Sequence, residues 1–453
     1  MGLDRREFFR LSAITTAVPA VTLATPSAAA PMSILGMDAV QLGIKAGGTI
    51  DQTNALQNAI DQTAGARVPL VLGPGEYRAG ELKLPTGTQI IGVRGATRLL
   101  FEGGAGLIFA RGAAHVTLSG LTFDGKGKPL GENRGLLQLA QSSDVRIIDC
   151  DIVNSGGDGI VLEEVEGVVS GSMVTGAADT GIVSRNARVL AIQNNIVRNI
   201  GNAGISISRS EKGEDGTLVL DNRIEDIAAT RGTSGQFGHA IEILRAGNVT
   251  VRGNRINRAA FTGIRGQAAS NLQITNNIVN DVGDAAIYSE FDLEGALIAN
   301  NTIVNAARGV AVVNFNEGGR LAVVQGNMIR NLKTRRPIDG SQSAGAGIGI
   351  SVEADAAVAG NVIEGASDTG IRIGWGQYLR DVTVTGNVVR NVGFGITASV
   401  STGAGQACIA GNMVAEASRG SIVGMDFAEV QPDDLSKNTT RYAHLAIKGN
   451  KVR

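Results

Sequence analysis

The sequence predicts an all-β solenoid, with short strands wound into coils of about two dozen residues and stacked along one axis. Three observations predict it. Residues 248–314 hold three successive units, NVTVRGNRINRAAFTGIRGQAAS, NLQITNNIVNDVGDAAIYSEFDLE and GALIANNTIVNAARGVAVVN. Each repeats one template: an alternating apolar run, a Gly-Asn or Asn-Asn turn, an Ile or Val, a short polar turn, then Gly/Ala-Ile-x-φ, where φ is apolar. The alternation has the two-residue period of strands, with no helical pattern inside the unit. Finally, 63 glycines with 4% aromatics and 18% charge in 453 residues suit many tight turns between short strands and not disorder.

A chain of this length ordinarily divides into two or three domains, but a solenoid grows along one axis instead of around one core. The organisation read here is a leader at 1–30, a cap with the first coils at 31–113, and repeats over 114–453. Lys+Arg number 41 against 42 Asp+Glu, a net charge of -1. No overall basic field favours nucleic acid as a partner. Cys150 and Cys408 fall in an early and a late coil. Coils stack at about 4.8 Å, which puts the two far beyond the ~7 Å Cα limit of a disulfide. Two free thiols are expected.

The leader begins Asp4-Arg5-Arg6-Glu7-Phe8-Phe9-Arg10, continues with LSAITTAVPAVTLA and ends in Ser27-Ala28-Ala29-Ala30. These are the charged, apolar and small-residue zones of a cleavable export signal, cut near Ala29. The apolar run is too short and weak for a stable membrane span. The arginine pair resembles the twin-arginine signal, with Asp4 and Phe9-Arg10 departing from its usual residues. That resemblance implies a folded protein handed to the twin-arginine export machinery and a periplasmic or secreted location in a bacterium.

Residues 51–63, DQTNALQNAIDQT, read as a short amphipathic helix, capped by Asp51 and with Leu56 and Ile60 on one face. Such an element covers the first coil of a solenoid, whose edge strands are otherwise open. With the following Leu70-Val71-Leu72-Gly73-Pro74-Gly75-Glu76-Tyr77 it resembles the opening of the pectate-lyase-like right-handed parallel β-helix family. From His115 onward a turn Asn recurs at 195, 222, 254, 277, 301, 327, 361, 387, 412 and 450, with Leu121, Cys150 and Ser172 in its place earlier. Asn tolerates left-handed backbone, so one per coil is expected to make a sharp corner, and stacked Asn side chains can bond along the ladder. The resemblance implies a single-stranded right-handed parallel β-helix of about a dozen coils. Signal and repeats together also resemble a family of exported bacterial repeat proteins of unassigned activity.

Longer excursions interrupt the template at 124–134, 228–238 and 333–345 before the Gly-Ile strand, and at 209–216 and 374–380 after it. Loops that border one sheet from both sides form a groove, although tolerated drift at turns would give the same lengths. In Gly-Ile-x-φ, x points outward. Coil by coil the row reads Val161, Val183, Ser206, Glu242, Arg265, Tyr288, Ala311, Gly349, Arg372, Thr397. Glu290 stands one pleat beyond Tyr288, and His239 just before its strand. Most of the row is small or apolar; Glu242, Arg265 and Tyr288 are not.

Those residue types suit β-elimination or epimerisation on a uronate polymer. Arg265 would neutralise the carboxylate, and Tyr288 or His239 would take the adjacent proton. Hydrolysis would instead use Glu242 and Glu290 as paired carboxyls. A solvated ion-pair ladder without chemistry is the third reading. Arg372, Trp375 and Tyr378 are candidate substrate-binding residues, the aromatics for stacking on a sugar face. Gly238-His239-Ala240-Ile241-Glu242-Ile243, Gly370-Ile371-Arg372-Ile373 and Gly157-Asp158-Gly159 resemble polygalacturonase strands. The Asp pair is single, however, and no Lys follows Arg372, so its hydrolase mechanism is not carried over. His115 and His444 read as turn residues. No zinc, calcium-loop or phosphate-loop spacing occurs, so no cofactor is expected from the sequence, with a calcium requirement left open. At the carboxyl end either the 430s segment folds over the last coil or that end pairs with another chain. Two function classes stand: an exported carbohydrate-active lyase or epimerase on an acidic polysaccharide, and a non-catalytic periplasmic glycan-binding or structural protein.

Overall fold

Most coils contribute three strands, each pairing in parallel with its equivalent one coil on; in the late coils the second and third merge into one strand, as in Val362–Ile373 and Val388–Ser399. In the coil at the centre of the repeat the three are Leu272–Thr275, Ile278–Asn280 and Ala285–Glu290. They pair with Glu294–Ala299, Thr302–Val304 and Arg308–Val313. The first of the three sheets runs through 16 strands, from Met37–Asp38 to Leu445–Lys448. The computed structural model describes residues 36–130, 134–232, 235–313, 320–337 and 345–453, which belong to one unit. The leader at 1–30 lies outside the described residues. The fold is a parallel β-solenoid of about 13 turns.

Inward positions carry the alternating Ile, Val and Leu of the template. Ile274, Val279 and Ile287 are fully buried, as are Ile298, Ile303 and Val310 directly after them. Their stacking gives one continuous apolar column, the dominant stabilising term in a fold whose coils touch only their neighbours.

The turn asparagines form an unbroken buried ladder. Asn301 Oδ1 accepts from the Asn277 backbone N–H at 2.9 Å and from Asn277 Nδ2 at 3.0 Å, while Asn301 Nδ2 donates to the Ile274 carbonyl and to Asn327 Oδ1. The same set recurs from Asn195 to Asn450. Ser172 continues it, its hydroxyl accepting from the Cys150 backbone N–H at 3.1 Å. The corner itself departs from expectation. The left-handed residue is the one before each ladder Asn: Asn194, Asp221, Gly253, Asn276, Asn300, Gly326. The ladder Asn has its side chain inside, where it satisfies backbone groups that the corner would strand. Gly309, in the Gly-Ile strand, is required by close approach, since an added Cβ would lie 2.2 Å from the Gly349 carbonyl oxygen.

The amino end is closed as expected. Helix Thr53–Ala66 buries Leu56 and Ile60, and Asp51 accepts from the Thr53 N–H at 2.7 Å. Gln57 does more than the sequence indicated. Its amide exchanges two 2.8 Å hydrogen bonds with the backbone of Lys83, supplying the partner that the first strand of the third sheet lacks. Tyr77 of the opening motif is buried, its hydroxyl on the Gly73 carbonyl. At the other end the 430s segment does fold over. Strand Glu429–Asp434 pairs antiparallel with Met413–Asp426, and Leu435 is buried beside it. Cys150 and Cys408 are both free thiols. No described helix is long and apolar enough to cross a membrane.

Candidate functional site

The outer face of the third sheet carries the predicted row in register. Glu242 pairs with Arg265, and Arg265 with Tyr288. One member is corrected: Ser351, not Gly349, stands between Ala311 and Arg372, because Ile350 aligns with Val310 and Ile371. The glycine belongs to the close-packed row two residues earlier.

Four of the five predicted catalytic residues are joined by hydrogen bonds. Arg265 Nε and Nη2 hold Glu290 Oε1 at 2.7 and 2.5 Å. Its Nη1 donates to the Gly235 carbonyl at 3.1 Å and to His239 Nε2 at 3.2 Å. Because a guanidinium only donates, Nε2 is the acceptor and the imidazole proton sits on Nδ1. That atom is buried and makes no hydrogen bond among the described residues. The Tyr288 hydroxyl hydrogen-bonds Glu290. Glu290 is only 3% exposed and His239 1%, so this part of an outward row is covered, with the 228–238 loop supplying the Gly235 contact.

Electrostatics separate the members. Burial, reinforced by the Arg265 charge, pushes His239 down to about 4. Burial and the Glu290 carboxylate push Tyr288 up to about 12. Burial raises Glu242, with Arg265 opposing. Near neutrality His239 is uncharged and Tyr288 is a proton donor. Glu242 is the carboxyl shifted toward the range where a general base works.

Three further residues complete the surface. Arg308 donates Nε to the Gly345 carbonyl at 2.6 Å and forms no ion pair among the described residues. Burial lowers its pKa, and the neighbouring Arg336 and Arg372 charges lower it further. Asp284, the nearest carboxylate influence, is occupied by Arg336 at 2.6 and 2.8 Å. The three came from different blind spots. Arg308 shares a register with His239 three residues before x, a row the sequence reading took up only at His239. Asp284 is an ordinary-looking turn residue. Arg336 sits in a long loop that sequence cannot place.

That last pair is one of a series. Arg231 reaches Asp179, Arg336 reaches Asp284 and Arg419 reaches Asp368, each arginine bonding a carboxylate two coils earlier. The first two tie Arg231 and Arg336, which precede strands of the third sheet, back to carboxylates at that sheet's edge.

Arg372, Trp375 and Tyr378 are not part of the central cluster. Arg372 is three coil steps from Tyr288 and is held by Asp368 at 2.7 Å. Trp375 lies between the Arg372 guanidinium at 6.0 Å and the edge of Phe427, 5.8 Å between centroids. The Trp is half-buried against the carboxyl-terminal segment. Asp158 shares the His239 register, but Thr180 and Ala203 intervene, so the polygalacturonase-like residues are not assembled.

A family model described as right handed beta helix region matches residues 164–331. The fold is a right-handed parallel β-helix. No curated protein matches this chain in sequence. Among solved structures the chain is similar to the N-terminal fragment of bacteriophage phi29 gene product 12, at 14% identity and a TM-score of 0.51. That match covers 89% of this chain and 74% of that one. It is similar to the pre-mature form of the same product at 14% identity and TM-score 0.50, covering 86% of this chain and 55% of the other. The A-module of the mannuronan C-5 epimerase AlgE6 of Azotobacter vinelandii matches at 15% identity and TM-score 0.43, covering 92% and 99%. The chain thus spans little over half of the pre-mature phage protein, and at such identities the two phage likenesses show the fold alone.

Asp158 permits a separate test of how the β-helix tolerates buried charge. It is 3% exposed and accepts from the Thr180 N–H at 2.9 Å. Burial, with Asp179 adding to it, pushes its pKa up to about 6. A folded-state pKa raised above the unfolded one stabilises below the unfolded value, and that stabilisation is lost as pH rises through about 6. Asp158→Asn keeps the acceptor and removes the charge. It is expected to stabilise the protein at pH 8 by on the order of 2 kcal/mol and to change little at pH 4. Urea unfolding at both pH values checks this; an equal effect at both would contradict it.

Proposed function

We propose that this β-helix is an exported carbohydrate-active protein that moves a proton at the carbon next to a carboxylate in an acidic polysaccharide, as a lyase or an epimerase does. One observation carries the reading: Arg308, a largely buried cation with no ion pair among the described residues, sits beside Tyr288 on the outer face where Glu242 also stands. A buried guanidinium with no ion-pair partner of its own among the described residues favours an incoming carboxylate.

The geometry redistributes the roles expected from sequence. Arg265 is committed to Glu290 and His239, so in this reading it positions the cluster and Arg308 neutralises the uronate. Glu242, with its raised carboxyl pKa, takes the proton and solvent supplies the returning one, while Tyr288, about 10 Å along the row, donates to an oxygen of the neighbouring sugar. His239, held neutral, keeps Arg265 aimed. Export through the leader belongs to the same reading.

Incubation with a panel of polyuronates tests it. Unsaturated ends or inverted C5 centres are expected, and Arg308→Ala should lower kcat/KM by about a hundredfold. Turnover of none of them would overturn the catalytic reading. The closed Arg265–Glu290–His239 network favours a second reading, glycan binding without turnover, which retained binding in that experiment would support.

A further inference from the structure

The same outer face continues toward the amino end and there forms a second hollow. It is a groove of about 1000 Å³. Lys83, Phe109, Gln138 and Val161 succeed one another in register along its floor. The capping helix lines it with Thr53, Asn54 and Gln57. Because Gln57 is bonded to the backbone of the first floor strand, the helix closes the groove at that end. Val183 and Ser206 separate Val161 from Glu242, so the hollow and the central cluster are three coil steps, about 14 Å, apart.

Four cations surround the groove: Lys83, Arg111, Arg134 and Arg185. Several other cations at this end are paired, Arg78 with Glu102, Arg98 with Asp124 and Arg188 with Glu164. The four form no ion pair among the described residues. Among the described residues Arg111 and Arg134 reach the amides of Gln141 and Gln138. Three carboxylates also line the groove, Asp61 on the helix, Glu81 and Glu163, so the four cations exceed them by one charge, and none of the three is within ion-pair distance of a lining cation. Arg111 and Arg185 occupy one outward register with Ala140 and Glu163 between them, again about 14 Å apart. That span suits a di- or trisaccharide. Phe109, part-exposed on the floor between Lys83 and Gln138, presents an aromatic surface of the kind sugars stack on.

The geometry points to this groove as an anchoring subsite for the end of an anionic oligosaccharide, distinct from the Glu242–Arg308 cluster. Its carboxylates meet Arg111 and Arg185, a sugar face lies on Phe109, and the chain runs along the axis toward Glu242. The inference rests on the reading that this face takes an acidic polysaccharide. Because the helix closes the groove, a bound chain terminates there.

Fluorescence anisotropy of end-labelled tetragalacturonate with the full chain is the test. Arg111→Ala/Arg185→Ala, at positions without ion pairs among the described residues, is expected to weaken binding about tenfold or more, with reduced salt dependence. Phe109→Ala should weaken it about fivefold with the salt dependence kept. Binding lost in Arg308→Ala and unchanged in the double variant would overturn the subsite while leaving the functional reading standing. Absence of binding to every protein would overturn both. Equal affinity for the carboxyl-reduced tetrasaccharide, or tighter binding of an oligothymidylate, would overturn the anionic-sugar assignment.

Discussion

Asn301→Ala is expected to destabilise the protein by about 3–5 kcal/mol, among the largest losses any single substitution here should cause. The side chain sits in mid-ladder, where its Oδ1 serves two donors on Asn277 and its Nδ2 serves Ile274 and Asn327. Truncation strands the Asn277 N–H and the Ile274 carbonyl in a dry interior, and each such group costs about 1–3 kcal/mol. Neighbouring coils cannot collapse into the gap, since the same ladder fixes their spacing. Asn301→Ser should cost less, because Ser172 already fills a ladder position, accepting from Cys150 and donating to the Ser170 carbonyl. Equilibrium urea denaturation of the two variants measures both. An alanine variant within 1 kcal/mol of wild type, taken as roughly the worth of one ordinary bond, would mean the ladder merely decorates the corner.

Arg265→Ala is expected to cost about 3 kcal/mol, a loss out of proportion to a residue on an outward row. The side chains of Arg265 and Glu290 are 14% and 4% exposed, so the pair is desolvated on both sides. Removing the guanidinium leaves the Glu290 carboxylate with the Tyr288 hydroxyl and without its counter-charge. The double variant Arg265→Ala/Glu290→Gln should recover more than half of the loss, because a neutral amide needs no cation there. His239 gives an independent readout. Arg265 is the second cause of its low pKa, after burial, so nuclear magnetic resonance titration should show it rising in the single variant. Full stability in Arg265→Ala would place the pair among exposed contacts of little energetic weight.

The fold was legible in the sequence because a solenoid writes its rules locally. Alternation sets inside from outside, and one polar residue per coil fixes the register over ten coils. The side-chain ladder of that residue is as the sequence suggests, but the corner is not. Asn at a corner suggests left-handed backbone, whereas here the preceding Asn, Asp or Gly takes that conformation and the ladder Asn turns inward. The Gly349 error has a similar origin, since counting from a Gly-Ile motif fails where Gly347, Gly349 and two isoleucines offer two registers. Candidate residues Glu242, Arg265 and Tyr288 were found because stacking brings equivalent positions together. Arg308, Asp284 and Arg336 were missed because a two-coil reach by an arginine depends on where a loop lies. The spacing itself is regular: 52 residues separate Asp284 from Arg336 and 51 separate Asp368 from Arg419. A search for Asp in the third turn followed two coils later by Arg would have found both.

The most direct test of the central claim is deuterium wash-in from heavy water at the carbon next to the carboxylate of a polyuronate, compared between wild type and Glu242→Gln. The account predicts incorporation by the wild type and a rate lower by about a hundredfold or more in the variant, as loss of a general base requires. Incorporation that is undiminished in Glu242→Gln, or absent from the wild type on every polymer, would contradict it.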